Sequence, residues 1–146
     1  MEYRENMLNY DDYYRLRESV QWINFSKIQT LKALNNSLYT VIAVENDHTV
    51  GMGRLIGDGL YYMIVDIIVH PDYQKRGIGT NIINRMIDYV SGETPVGGRS
   101  SIQLTAEKGK EDFYKKLGFK LLSLIHILWR DLWLIWRKVK KKPPHM

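Results

Sequence analysis

Apolar positions change rhythm along this chain, and the changes mark out its elements. From about Asp11 to Asn36, the residues Val20, Ile23, Ile28, Leu31 and Leu34 recur as apolar contacts of helical pattern, and a break near Asn24 predicts two short helices. Tyr39 to Val44 and Thr49 to Ile56 then alternate as two strands joined through Glu45-Asn46-Asp47-His48, a hairpin signal. Gly57-Asp58-Gly59 turns the chain into Tyr61 to Val69, whose β-branched run reads as a buried strand. Ile82, Ile83, Met86, Ile87 and Val90 share one face of a helix running from about Gly77 to Val90. Ser101 to Thr105 predicts a strand, Gly109 to Leu117 a short helix closed by a left-handed Gly118, and Phe119 returns the chain to strand. Leu121 to Trp136 is apolar except for Ser123, His126, Arg130 and Asp131, too short and interrupted for a bilayer span, and predicts a hairpin turning near Arg130-Asp131. Helices that separate apolar strands imply an α/β (α+β) fold, a sheet covered on both faces.

Length and composition narrow the class. The 146 residues suit one domain, 1–146, with 45% hydrophobic and 25% charged residues, ordinary for a globular chain. The polar start, Met1 to Asn6, lacks a signal-peptide layout, and the absence of cysteine excludes disulfides, a thiolate nucleophile and cysteine-ligated zinc. A cytoplasmic location is the expectation. The net charge of +5 is a property of the tail, residues 137–146: Arg137, Lys138, Lys140, Lys141 and Lys142 supply it, and the tail is expected to be a solvated, frayed end before Pro143-Pro144. Neither nucleic acid nor a membrane is therefore the expected partner. His48, His70, His126 and His145 stand apart from one another, without metal-ligand spacing, and no metal is expected.

Gln74-Lys75-Arg76-Gly77-Ile78-Gly79 carries the first chemical signal, because it joins the buried strand directly to the amphipathic helix. Two glycines there let backbone approach a ligand, and the following helix aims its free N–H groups at the loop, a cradle for phosphate. Neither G-x-x-x-x-G-K-[ST] nor a complete G-x-G-x-x-G is present. About thirty residues on stands Lys110-Glu111-Asp112-Phe113-Tyr114-Lys115-Lys116-Leu117-Gly118-Phe119. Together, over residues 39–119, the two segments resemble the GNAT superfamily of N-acetyltransferases, the first matching its Q/R-x-x-G-x-G/A acetyl-CoA motif and the second its F-Y-x-K-x-G-F helix. The resemblance implies a mixed, mostly antiparallel central sheet flanked by helices, with acetyl-CoA as co-substrate. The chain departs from the family after Gly118-Phe119, running through Leu124 to Trp129 without the usual Gly/Pro-containing segment. Residues 121–136 thus form an atypical apolar ending, and covering so apolar a hairpin makes a homodimer an expectation.

The likeness also implies a site. Backbone N–H groups of Arg76, Gly77, Ile78, Gly79 and Thr80 would hold the coenzyme's pyrophosphate, with Gln74, Lys75 and Arg76 beside it and Lys108 and Lys110 reaching its phosphates. The backbone of Ile68 and Val69, where relatives splay two parallel strands, would pair with the pantetheine arm, and an N–H near Ile68 would serve the oxyanion. Tyr114 matches the tyrosine that relatives aim at the coenzyme sulfur, a donor for the departing thiolate. Asp66, an acid inside an apolar strand, reads either as the general base or as an acceptor of hydrogen bonds from a neighbouring turn. Trp22, Asn24, Phe25, Arg54 and Tyr61 are available for acceptor recognition. The implied function is acetyl transfer to a primary amine of a small molecule or protein, the alternative being a non-catalytic acyl-CoA sensor or interaction module.

Overall fold

The computed structural model describes residues 1–107, 109–128 and 131–142. Its elements are strand β1 (Glu2–Glu5), helices α1 (Tyr10–Ser19) and α2 (Lys27–Asn35), strands β2 (Tyr39–Glu45), β3 (His48–Gly57) and β4 (Tyr61–Val69), helix α3 (Ile78–Glu93), strand β5 (Arg99–Glu107), helix α4 (Glu111–Lys116), and strands β6 (Lys120–Leu128) and β7 (Asp131–Lys141). A single 3-10 turn, Pro71–Tyr73, stands between β4 and α3. The chain divides into two compact units, Met1–Ile56 with Asp66–Met86, and Gly57–Val65 with Ile87–Met146. No helix among the described residues is long and apolar enough to cross a membrane.

In the first unit β1, β2 and β3 pair antiparallel, from Glu2↔Val44 to Glu5↔Val41 and from Tyr39↔Leu55 to Glu45↔His48. Asn46 and Asp47 take φ of 50° and 62°, the left-handed pair that a two-residue hairpin turn demands and that Asn and Asp tolerate. The strand period of two then sorts side chains by face. On one face Tyr13 and Leu16 of α1 pack with Ile42, Val44, Met52 and Ile68. On the other, α3 lies so close that a Cβ built at Gly53 would stand 2.5 Å from Ile67 Cδ1 and 2.8 Å from both Ile82 Cγ2 and Met86 Cε. Helices thus cover both faces of this sheet, as the alternation of elements implied.

Side-chain caps set the two N-terminal helices. Asn9 accepts from the Asp12 N–H at 2.9 Å and Ser26 from the Gln29 N–H at 3.2 Å, so the break between helices falls where expected. The expected apolar contacts hold in part: Val20 and Leu34 pack against the core, whereas Ile23, Ile28 and Leu31 are 88%, 83% and 47% exposed. The chain between the helices resets the helical phase, and α2 turns Thr30 inward instead, its hydroxyl donating to the Ser26 carbonyl at 2.9 Å.

In the second unit β4 pairs parallel with β5 from Tyr61↔Ser101 to Ile64↔Leu104, and β7 lies antiparallel between β5 and β6. The sheet is therefore mixed and mostly antiparallel, with α3 as the crossover of its parallel pair. Buried Tyr62, Ile64, Ile87, Val90, Ile102, Leu104, Ala106 and Phe119 form this unit's core, with Thr94 donating to the Val90 carbonyl and sharing a 2.7 Å bond with Ser100. Gly118 closes α4 at φ 86°, the left-handed value expected there. The hairpin of β6 and β7 has the expected place, although Arg130 lies outside the described residues.

One expectation fails at the C-terminal end, and at the N-terminal end a strand appears that the sequence did not announce. Arg137 to Lys141 is no frayed tail; it belongs to β7 and pairs with Arg99 to Gln103 of β5. Ladder hydrogen bonds come from backbone, so basic side chains do not prevent pairing. Lys138 goes further: its Nζ donates to the Leu117 carbonyl at 2.7 Å, and burial, followed by the charge of Lys140, lowers its pKa. At the other end Glu2–Glu5 forms an edge strand with no apolar alternation to announce it.

Candidate active site

The glycine-bearing loop follows the end of β4 and leads into α3. His70 Nδ1 accepts from the Asp72 N–H at 3.1 Å, and the Gln74 side chain donates to the Val69 carbonyl at 3.0 Å, which ties the loop back to the strand it left. Lys75 and Gly77 adopt φ of 65° and 79°, turning the backbone into α3. The first helical hydrogen bond closes at Asn81 N–H to the Gly77 carbonyl, 3.0 Å, so the N–H groups of Ile78, Gly79 and Thr80 precede the ladder and need other partners. No acidic side chain stands in the first turn of α3. Arg76 is exposed over the Tyr73 ring at 5.1 Å, with Glu45 3.8 Å from its guanidinium.

Gly79 separates packing from ligand chemistry. A Cβ there would meet, outside its own helix, a single described atom within 4 Å, Val69 Cγ2 at 3.8 Å, an ordinary contact. The protein has room for a methyl group, and glycine inside a helix costs roughly 0.5–1 kcal/mol relative to alanine. Packing within the chain therefore does not demand glycine at this position, and N–H groups at a helix start are of the kind that suits an anion of phosphate size.

Asp66 introduces the second feature. It takes φ 56° within β4, two residues beyond the last parallel pair, Ile64↔Leu104. Past this left-handed residue the strand continues through Ile68 and Val69, and the His70 N–H reaches the Val50 carbonyl at 2.8 Å. The Asp66 carboxylate accepts from Arg17 on Oδ1 at 2.9 Å, and from Arg54 and the Tyr13 hydroxyl on Oδ2 at 2.9 and 2.8 Å. Its hydrogen bonds come from α1 and β3 instead of the neighbouring turn the sequence suggested. Burial, then the adjacent Asp66 charge, pushes the Tyr13 phenol up to about 12.

Of the residues named for acceptor recognition, Arg54 is drawn into this network, and the rings of Trp22 and Phe25 lie 5.3 and 5.1 Å from the Arg17 guanidinium. Asn24 donates to the Tyr14 carbonyl at 3.3 Å. Tyr61 belongs to the second unit and is 62% exposed. Sequence reasoning missed Tyr13 and Arg17. The signal was there: they stand one helical turn apart, flanking the apolar Leu16, so a lone acid in an apolar strand had a guanidinium and a phenol on one helix face to meet it.

Tyr114 and Lys110 lie in the second unit, and Lys108 lies outside the described residues. Tyr114 is half-buried on α4, edge-on to Phe113 at 5.0 Å and to Phe119 at 6.2 Å between ring centres. Its carbonyl accepts from Leu117 and Phe119, which fastens the turn through Gly118. Lys110 is exposed at the start of α4, and the Gly109 N–H donates to Glu111 at 2.9 Å. No cluster of three or more His, Asp or Glu among the described residues could hold a metal ion.

Known proteins resemble this chain in sequence and fold. The family model described as an acetyltransferase (GNAT) domain matches residues 36–121. An uncharacterized N-acetyltransferase, ycf52, of Pyropia yezoensis is 33% identical over 110 residues, 72% of this chain and 61% of its own length. This chain thus matches less than two-thirds of that relative. A probable acetyltransferase of unknown function from methicillin-resistant Staphylococcus aureus superposes with TM-score 0.76 at 27% identity, over 88% of this chain and 98% of its own. An aminoglycoside 6'-N-acetyltransferase complexed with coenzyme A shares the fold at TM-score 0.78 and 18% identity, over 95% and 97% of the two chains. With more than half its length matched by the family model, the chain belongs to the GNAT acetyltransferase family.

Proposed function

We propose that this protein is an acetyl-CoA-dependent N-acetyltransferase of the cytoplasm, passing acetyl directly to a primary amine of a small molecule or protein. The observation that carries the reading is the bare Gly79 backbone, unconstrained by packing, beside three N–H groups that precede the α3 ladder. In this reading the N–H groups from Arg76 to Thr80 receive the diphosphate, and Lys75, Arg76, Lys108 and Lys110 add positive charge. Gln74 acts by holding the loop to Val69. The backbone of Ile68 and Val69, past the left-handed Asp66, pairs with the amides of the pantetheine arm.

The chemistry follows from what the thioester needs. A neutral amine attacks the carbonyl carbon, and an N–H near Ile68 receives the oxyanion. Collapse breaks the carbon–sulfur bond, and Tyr114 gives its proton to the thiolate. The proton shed by the new amide nitrogen returns through water to Tyr114, so amine and thioester become amide and thiol. Asp66 belongs to this site as the charge that fixes the end of β4. Coenzyme thiol release, followed across a panel of amines with acetyl-CoA, tests the reading. Release that depends on an amine supports it; binding of acetyl-CoA without release on any amine would favour a sensor.

A further inference from the structure

We propose that Arg17 and Arg54, gripping Asp66, are positioning residues that lock α2 and the connection leading into it to the end of β4, and that Asp66 acts through them and not as the proton acceptor. The proposal rests on the acetyltransferase reading. α1 and β3 meet β4 at this one carboxylate, and the two arginines extend the network to the α1–α2 connection and the end of α2. Arg17 donates to Asp66 through Nη1 and to the Ile23 carbonyl through Nη2 at 2.6 Å, so it spans from α1 to the chain that follows it. Arg54 donates to Asp66 through Nε, and through Nη1 to the Ala33 carbonyl and the Ser37 hydroxyl at 3.2 and 2.9 Å, so it spans from β3 to the end of α2. Tyr13 closes the ring of donors from α1.

Three observations point to positioning over stability or base catalysis. Asp66 stands at φ 56° inside a strand, a left-handed conformation that Asp tolerates but that regular strand backbone does not use, and what surrounds it is this set of donors. Its carboxylate is 10% exposed and both oxygens are engaged by charged donors, whereas a general base needs a lone pair open to the incoming proton. The cluster also carries two guanidinium groups against one carboxylate, and Arg17 Nε is buried without a hydrogen-bond partner among the described residues. A network built for stability alone would not leave a guanidinium nitrogen unpaired, while buried ionic groups are weak contributors to stability and best attested as fixing one arrangement over others. The rings of Tyr13, Trp22 and Phe25, 5.1–5.6 Å from Arg17, hold the guanidinium in place where that hydrogen bond is missing.

Asp66→Asn and Arg54→Met, with Arg54→Lys as the conservative variant, test this in the full chain. Amide hydrogen exchange without ligand reads the hub directly: each of the first two variants should speed exchange at least tenfold both at residues 67–69 and at residues 22–25, with Arg54→Lys restoring part of the protection. Acceleration confined to one of those segments, or to neither, overturns the proposal whether or not the protein is an acetyltransferase. In turnover, the hub predicts that both variants raise KM for acetyl-CoA and lower kcat while the pH profile keeps its shape. A lost pH limb in Asp66→Asn alone, with KM for acetyl-CoA unchanged, would make Asp66 the base and refute positioning. Wild-type protein that binds no acetyl-CoA would sink the acetyltransferase reading and leave the exchange result to decide the hub.

Discussion

Gly79 and Gly53 are both bare positions in the first unit, and their different surroundings make opposite outcomes for the same substitution. In Gly53→Ala the new methyl would stand 2.5–2.8 Å from the side chains of Ile67, Ile82 and Met86. Those side chains must move, and overpacking of that kind costs about 1–3 kcal/mol. In Gly79→Ala the methyl would meet only Val69 Cγ2, at 3.8 Å. Replacing a helical glycine there should leave stability unchanged or raise it by up to about 1 kcal/mol. On the proposed reading, however, the methyl would stand where the coenzyme's phosphate oxygens approach the backbone. A loss of at least tenfold in affinity, about 1.4 kcal/mol, is expected for Gly79→Ala, and loss of detectable binding for Gly79→Glu. Calorimetry with coenzyme A and denaturant unfolding, run on all three variants, measure the two quantities separately. Wild-type affinity in a folded Gly79→Glu would refute the reasoning, because it would mean that no ligand uses the space the glycine leaves open.

Other outcomes follow from single contacts. Tyr114→Phe should lower turnover by more than about tenfold at unchanged coenzyme affinity, general acids being worth roughly 10² to 10⁴; unchanged turnover removes Tyr114 from the chemistry. Tyr13 holds its proton more tightly folded than unfolded, its phenol standing at about 12 against 10.0, so its contribution is full below pH 10 and is lost as pH rises toward 12. The difference in unfolding free energy between the protein and Tyr13→Phe should therefore shrink over that interval, and a difference that stays flat would contradict the assignment. Deleting residues 137–146 should lower Tm by about 5 °C or more. The deletion removes the β5 partners of Arg99 to Gln103, the Lys138 bond to Leu117 and the backbone bonds of Lys142 to Gly97 and Gly98, whereas a frayed tail would leave Tm unchanged.

The sequence made legible whatever depends on local periodicity and turn chemistry. The hairpin through Asn46 and Asp47, the buried run of β4, the amphipathic α3 and the left-handed Gly118 each follow from short-range rules that the tertiary fold respects. Elements whose formation depends on a distant partner were hidden. β1 is polar and exists because β2 offers it an edge; Arg137 to Lys141 is strand because β5 does. The outward turn of Ile23 and Ile28 was unreadable because the phase of a helix is lost across a loop. At the site the glycine-bearing turn into α3 could be read because glycine, loop and helix are contiguous. The Asp66 network joins residues 13, 17, 54 and 66, and only folding brings them together.

The central claim, that main-chain N–H groups at the start of α3 receive a diphosphate, is tested most directly by titrating the ¹⁵N-labelled protein with coenzyme A and following backbone amide resonances. The account predicts that the largest shifts fall on Gly77, Ile78, Gly79 and Thr80, and that dephosphorylated pantetheine does not reproduce them. Saturation with coenzyme A that leaves those amides unmoved, or that moves a different part of the chain, would contradict it.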